Sequence, residues 1–365
     1  MYFTTLVENN HMPSELGITM KMHEILQRDR EIWDLFTRKE EYHSSIRDKF
    51  NRFPYYLSQY RTIFEPKASE FLMNNGYHAE YPDGKPFAVC LTHDIDVVYK
   101  SITSKTFHTL KNVTHGNFTS FLNSVKQIRS KKNPYVNFEE IMKLEEKYNA
   151  CSSFYFLSLD PSDQDYEYRA EDLENEIHTI QDWGWEVGLH GGHQGYCDLN
   201  KLKNEKRNLE KITNNSVIGC RNHYLNFVVP DSWELLSNAG FKYDCSFGYA
   251  DCAGFRNGMC HPFKPFNLNS GKIIEIIEIP QIIMDQSFSD NYMALDSDRA
   301  WEITRRLIDA VAKYHGVITL LWHNNSIMGD QKKFYEKILK YCAEKEAWMT
   351  SGEHISTWWK DNVKE

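Results

Sequence analysis

The chain has 365 residues, 41% of them hydrophobic, enough for one barrel-sized domain with an appendage or for two domains. Its formal net charge is −9, from 42 basic and 51 acidic residues, which argues against a chain-wide surface for nucleic acid. Eight cysteines occur without a CxxC pair, which fits reduced thiols better than a zinc ribbon or a disulfide framework.

The N-terminal "MYFTTLVENNHMPSELG" has no basic region followed by an apolar one, and no run approaches the roughly 20 apolar residues that span a bilayer. A cytoplasmic protein without a membrane span is therefore expected. Residues 1–85 are mainly helical and aromatic in pattern, an N-terminal extension or cap. From residue 86, short apolar runs alternate with amphipathic stretches. "FAVCLT" (87–92) predicts a strand, "NFEEIMKLEEKYNA" (137–150) a helix, "SSFYFL" (152–157) a strand, and "AEDLENEIHTIQDWG" (170–184) a helix closed by Gly184. "WEVGLH" (185–190) and "VIGCRNH" (217–223) predict strands on either side of a helix at 199–212, and "DSWELLSNAG" a further helix. "KIIEIIEIP" (272–280) predicts one strand, 298–316 a long helix, "VITLLWH" (317–323) a strand, and 330–345 another helix. Residues 351–365 are a C-terminal helix or tail.

Repeated strand–helix alternation points to a parallel sheet, and the nearly continuous apolar strands to burial on both faces, as in a barrel. The barrel region runs over 86–350. It is interrupted at 97–137 by a basic insertion without Asp or Glu, carrying Lys100, Lys105, Lys111, Lys126, Arg129, Lys131 and Lys132. That insertion is either a funnel for an anionic substrate or, more simply, a solvated face.

In a parallel barrel the chemistry collects where strands end. The first strand ends in His93-Asp94-Ile95-Asp96, the third in His190-Gly191-Gly192-His193, and the fourth in Arg221-Asn222-His223-Tyr224. A later strand ends in Glu278-Ile279-Pro280 with Asp285 beyond, and the last in Trp322-His323-Asn324. Any one of these is ordinary, because a lone strand-end His is usually structural and Asp-x-Asp is often a turn. Together they offer a carboxylate with one or two imidazoles, a donor set that suits zinc or a similar divalent ion with positions left for water and substrate. A second carboxylate beside the ligand serves as general base, Arg221 orients it by a bidentate pair, and His323 protonates a leaving group. His223 and Tyr224, and Asp251 and Arg256 in the loop 248–262, are candidate substrate contacts; plain packing roles are the alternative for each.

These segments resemble the motifs of the polysaccharide deacetylases of the carbohydrate esterase class. "THDID" is similar to the first motif, "GLHGGHQGY" to the second, "GCRNHYL" to the third, "YDCSFGYAD" with Asp244 to the segment that follows, and "LLWHN" to the last. The resemblance covers roughly residues 86–350. It implies an α/β fold, a distorted (β/α) barrel of about seven parallel strands behind the helical N-terminal extension, and removal of an acetyl group from a sugar by water activated at a divalent metal. Zinc is the first expectation, with cobalt, manganese and nickel as alternatives. By the same resemblance Asp94 is the base, Asp96, His190 and His193 the metal ligands, Arg221 the base-orienting residue and His323 the acid. The sequence departs from the pattern at one point: the family spaces its two ligand histidines four apart, and here that position is Gln194, with His193 one residue earlier. The wider sequence is similar to a bacterial branch associated with surface-polysaccharide genes, which implies a carbohydrate or nucleotide-linked sugar as substrate. Hydrolysis of another C–N bond, and a silent barrel that binds glycan or partner, are the competing functions. Oligomeric state has no signature in the sequence.

Overall fold

The computed structural model describes residues 21–99 and 134–363. The basic residues Lys100 to Lys132 therefore lie outside the described residues, and so do residues 1–20 and 364–365. The N-terminal segment contains three short helices, α1 (Met22–Leu26), α2 (Arg30–Phe36) and α3 (Lys67–Asn74). There follow β1 (Ala88–Ile95), α4 (Phe138–Glu146), β2 (Ser153–Leu157), α5 (Glu174–Asp182), β3 (Glu186–Gly191), α6 (Leu199–Thr213), β4 (Gly219–Asn222), α7 (Asp231–Asn238) and β5 (Tyr243–Asp244). The remainder comprises β6 (Phe266–Asn267), β7 (Lys272–Ile273), β8 (Ile277–Glu278), β9 (Gln281–Met284), α8 (Ser297–Lys313), β10 (Val317–Leu321), α9 (Gly329–Glu344), β11 (Trp348–Thr350) and α10 (Gly352–Asn362). None of the described helices is long and apolar enough to cross a membrane.

The main sheet runs β8-β5-β4-β3-β2-β1-β10-β9, with every pair parallel. On one edge, β1 is shared: Ala88–Cys90 pair with β11 and Thr92–Ile95 with β2. The two ends of the order, β8 and β9, are separated only by Ile279 and Pro280. The Ile279 amide donates to the Asp244 carbonyl (2.9 Å) and the Gln281 amide to that of Phe247 (3.0 Å), so one stretch of chain faces both β5 and β10. This closes the distorted (β/α) barrel that the alternation predicts. Strands β1 to β4, β9 and β10 are buried at every residue, which accounts for their unbroken apolar runs.

Local boundaries differ from expectation in two places. The predicted strand 272–280 is two: Lys272–Ile273 pairs antiparallel with Phe266–Asn267 across a turn containing Gly271 (φ 67°), and only Ile277–Glu278 enters the barrel. An Ile276 amide bond to the Ile274 carbonyl (2.9 Å) bends the chain between them. The apolar run conceals this bend, because every residue from Ile274 to Ile279 except Glu275 is buried regardless. Beyond Pro280, β9 was not predicted at all.

The lower bore of the barrel is filled by two tyrosines set against bare backbone. Tyr155 is in register with Gly188 and Tyr243 with Gly219. A Cβ on Gly188 would lie 2.4 Å from the Tyr155 ring, and one on Gly219 2.2 Å from the Tyr243 hydroxyl. The two hydroxyls are 2.8 Å apart, and that of Tyr243 donates to Glu186 Oε1 (2.6 Å). The first turn of α10 seats beneath them, the Glu353 amide donating to Glu186 Oε2 (2.8 Å) and the Gly352 amide to Ser153 Oγ (2.9 Å).

The N-terminal segment shares the barrel's core: Met22, Ile25, Phe36 and Leu72 belong to the same apolar cluster as β1 and β10. It is also joined by buried charge. Glu41 lies between Arg38 (Nε to Oε1, 2.7 Å) and Arg256, both fully or nearly fully buried. Burial alone raises the Glu41 carboxyl pKa, but Arg256 and Arg38 outweigh it and hold the group below its ordinary value. A depressed pKa contributes stability that is present above the ordinary carboxylate range and lost as pH falls through the folded value. Glu41→Gln leaves the buried Arg256 without its counter-charge and Arg38 with Glu40 alone, and denaturant unfolding at pH 7 is expected to show a loss of about 3–5 kcal/mol. The deficit relative to wild type should shrink on acidification.

Candidate metal and active site

Asp96 stands just past the end of β1 and is the centre of the rim. Its Oδ1 is 3.1 Å from His190 Nε2 and 3.7 Å from His223 Nε2, and its Oδ2 is 3.5 Å from His323 Nε2. Burial opposes its ionisation, yet His323, His190 and His223 together hold its carboxyl well below the usual carboxylate range.

Each imidazole is fixed from behind. His190 pairs in register with Arg221, and its Nδ1 donates to the Arg221 carbonyl across the β3–β4 ladder (2.8 Å). His223 donates from Nδ1 to Asp165 Oδ2 (3.0 Å). His323 donates from Nδ1 to Asp285 Oδ1 (2.7 Å), and its backbone amide donates to Oδ2 of the same carboxylate (3.1 Å). Committing each Nδ1 to an acceptor turns all three Nε2 atoms toward Asp96.

Among the described residues, the group that offers metal-ligating atoms within 4.8 Å of one another is Asp96, His190 and His223. Of the ligands expected from sequence, Asp96 and His190 are in it and His193 is not. His193 lies to one side, its Nδ1 3.8 Å from Asp165. The physical reason is local. The chain leaves β3 through a turn in which the Gly195 amide bonds the Gly192 carbonyl (2.8 Å) and the Gly192 amide bonds Glu205, and His193 comes to rest beside Asp165 and Tyr224. His223, expected as a substrate contact, takes the inward position. A carboxylate with two imidazoles, their far nitrogens already hydrogen-bonded, is a donor set that fits a divalent cation.

Asp94 faces the same interior, its Oδ2 3.7 Å from His190 Nε2, and among the described residues its Oδ1 has no hydrogen-bond partner. Arg221 makes no bidentate pair with it. The guanidinium is fully buried, donates to Thr92 Oγ1 (3.0 Å) and Cys245 Sγ, and lies 5.5 Å over the Tyr155 ring. It acts on Asp94 only through its field, as the Asp94 charge acts on it. His93, the most prominent histidine of the first motif, points away, bonded to the Trp322 carbonyl and Glu145.

A cavity of about 270 Å³ opens onto these groups. Asp94, Asp96, Asp165, His223, Tyr224 and His323 line its polar side, and Leu225, Met284 and Leu321 its apolar side. Asp251 and Arg256 do not line it. The Asp251 carboxylate accepts the Tyr55 amide (3.0 Å), and Arg256 is consumed by Glu41 and the Gly248 carbonyl. Both charges of that loop are taken up by the N-terminal segment lying on it. Glu278 is equally remote, bonded to the Trp233 indole (2.7 Å). Among the cavity residues without a sequence signature, Asp165 sits in a loop after β2 and Arg52 comes from the N-terminal segment.

For His323, burial works against the charged form, but the carboxylates of Asp285 and Asp96 prevail and raise its pKa from 6.5 to about 10. A raised pKa contributes stability that is fully present below the unfolded value and lost as pH rises through the folded one. With no metal added, NMR titration of His323 is therefore expected to show a high pKa in the wild type and a large downward shift in Asp285→Asn. In calorimetric Co2+ titration, His223→Ala should lose at least roughly tenfold in affinity, while His193→Ala stays within about threefold of wild type.

No protein-family model matches the sequence, and no curated protein matches it either. Solved structures do. A protein assigned as a polysaccharide deacetylase from Mycobacterium smegmatis is 17% identical with a TM-score of 0.53, the match covering 79% of this chain and 94% of that one. Another so assigned, from Pseudomonas aeruginosa PAO1, is 13% identical with a TM-score of 0.52, over 80% of this chain and 98% of that one. What this chain has in common with them is the fold.

Proposed function

We propose that the protein is a metal-dependent hydrolase that removes an acetyl or similar acyl group from a carbohydrate, with an amino sugar of surface-polysaccharide metabolism as the substrate class. The observation that carries this is the split use of Asp96, one oxygen toward the His190–His223 pair and the other toward His323, with Asp94, whose Oδ1 has no hydrogen-bond partner among the described residues, in the same cavity.

In this reading Asp96, His190 and His223 hold a divalent cation, zinc by preference or cobalt, manganese or nickel. Such a cation supplies Lewis acidity, lowering the pKa of a water and polarising an acyl carbonyl. Asp94, which lines the cavity and whose Oδ1 has no hydrogen-bond partner among the described residues, takes the proton from the attacking water. The buried Arg221 guanidinium acts on Asp94 through its charge, without a hydrogen bond to it. As the C–N or C–O bond breaks, His323 gives its Nε2 proton to the departing sugar nitrogen or oxygen, and Asp285 balances the imidazolium before transfer. Water thus becomes the hydroxyl of the released acid, and the leaving group departs protonated. Leu225, Met284 and Leu321 provide an apolar wall suited to the methyl of an acetyl group.

The test is acetate release from N-acetylated amino sugars, free and nucleotide-linked, by protein loaded with Zn2+ or Co2+. Asp94→Asn is expected to lower turnover at least roughly 100-fold while leaving metal affinity nearly intact. Full activity in that variant would remove Asp94 from the base role; absence of acetate release from every sugar, with the cation bound, would overturn the deacetylase reading.

A further inference from the structure

His223 is held by a strained turn. It lies past the end of β4, and the next two residues, Tyr224 and Leu225, both have left-handed backbone (φ 58° and 54°) although neither is Gly or Asn. Such a turn persists only where its surroundings over-determine it. Asp165 fixes the His223 Nδ1, and the Asn226 amide bonds the His223 carbonyl (3.1 Å), while the Tyr224 ring and carbonyl are also braced from outside the loop.

What meets Tyr224 comes from more than 170 residues upstream. The Tyr224 ring stacks on His223 (centroids 3.8 Å apart, planes at 15°), and Phe50 stacks on Tyr224 in turn (4.5 Å, 18°). The Arg52 guanidinium lies 4.7 Å from the Phe50 ring centre, and its Nη1 donates to the Tyr224 carbonyl oxygen (2.7 Å). The segment presenting these two side chains is closed on itself. Asp48 Oδ1 accepts the amides of Phe50 and Arg52 (2.9 Å each), its Oδ2 accepts Arg52 Nε (2.8 Å), and its own amide donates to the Arg52 carbonyl (3.0 Å). With Nε and Nη2 committed to Asp48 and Nη1 to Tyr224, Arg52 has little left for a bound anion, although it lines the cavity.

We propose that residues 48–52 are a positioning element for the metal site: Phe50 and Arg52 clamp the Tyr224 turn and thereby set the His223 imidazole at its ligating place. This rests on the reading of His223 as a ligand. The N-terminal segment is then part of the metal site's frame as well as of the fold. Phe50 and Arg52 are not themselves ligands of the cation and act on it through Tyr224 and His223.

The experiment is Co2+ titration of the full chain, read by calorimetry and by the visible absorption of bound Co2+, in wild type, Phe50→Ala, Arg52→Leu and Phe50→Tyr, each also in a His223→Ala background. Phe50→Ala and Arg52→Leu are expected to weaken Co2+ about 10- to 100-fold and to alter its absorption bands, the range found when a partner that orients a ligand is removed. Phe50→Tyr, which keeps the stack, should retain wild-type affinity. In the His223→Ala background the same substitutions should change affinity by less than about threefold, because the group they position is gone. Unchanged affinity and spectrum in both variants, or equal losses with and without His223, would overturn the proposal. If a variant does not fold without metal, the comparison uses Arg52→Lys, which keeps the charge over Phe50 and is expected to show a smaller loss of the same kind. No Co2+ binding by the wild type would instead refute the metal reading on which the proposal stands.

Discussion

One carboxylate facing three imidazoles is the constraint around which the upper barrel is arranged. Asp96 is only partly exposed, and a carboxylate in that setting persists in ionised form only where positive or hydrogen-bonding partners surround it. The fold meets this by bringing β1, β3, the turn after β4 and the end of β10 to a single point. It then anchors each histidine through its Nδ1, using a strand carbonyl for His190 and carboxylates for His223 and His323. With Asp94, Asp165 and Asp285 added to Asp96, carboxylates outnumber the imidazoles they surround. A cluster of that balance attracts a cation, and its histidines are already held in the tautomer a cation requires.

Much of this was legible in the sequence because strands in a parallel barrel deliver their last residues to one rim. Asp94, Asp96, His190 and His323 were found by that rule alone, and the structure brings all four to one cavity wall or its immediate floor. The rule failed where the chain turns after leaving the strand. His193 and His223 each lie just beyond a strand, and nothing in composition says which will point inward. The decision is made by the left-handed pair Tyr224–Leu225, and two bulky residues are the last place one expects positive φ. Asp285 was visible as a residue but not as the partner of His323, because β9 begins directly after Pro280 and its apolar run merges with the one before it.

The N-terminal segment was unreadable for a different reason. Its side chains matter through pairings made across some 200 residues, such as Glu41 with Arg256, and long-range ion pairs leave no periodicity behind. Such pairings also explain the candidate substrate loop. Asp251 and Arg256 carry the charges one would choose for sugar recognition, yet both are satisfied by the segment that covers them. A polar loop and its cover were built together, and only the cover reveals which charges remain available.

The tyrosines laid over glycines in the lower bore make the barrel a vessel with a closed bottom. Among the described residues, Tyr155, Tyr243 and the first turn of α10 fill the bore beneath the histidines. In the proposed hydrolysis, both products leave on the side away from these tyrosines.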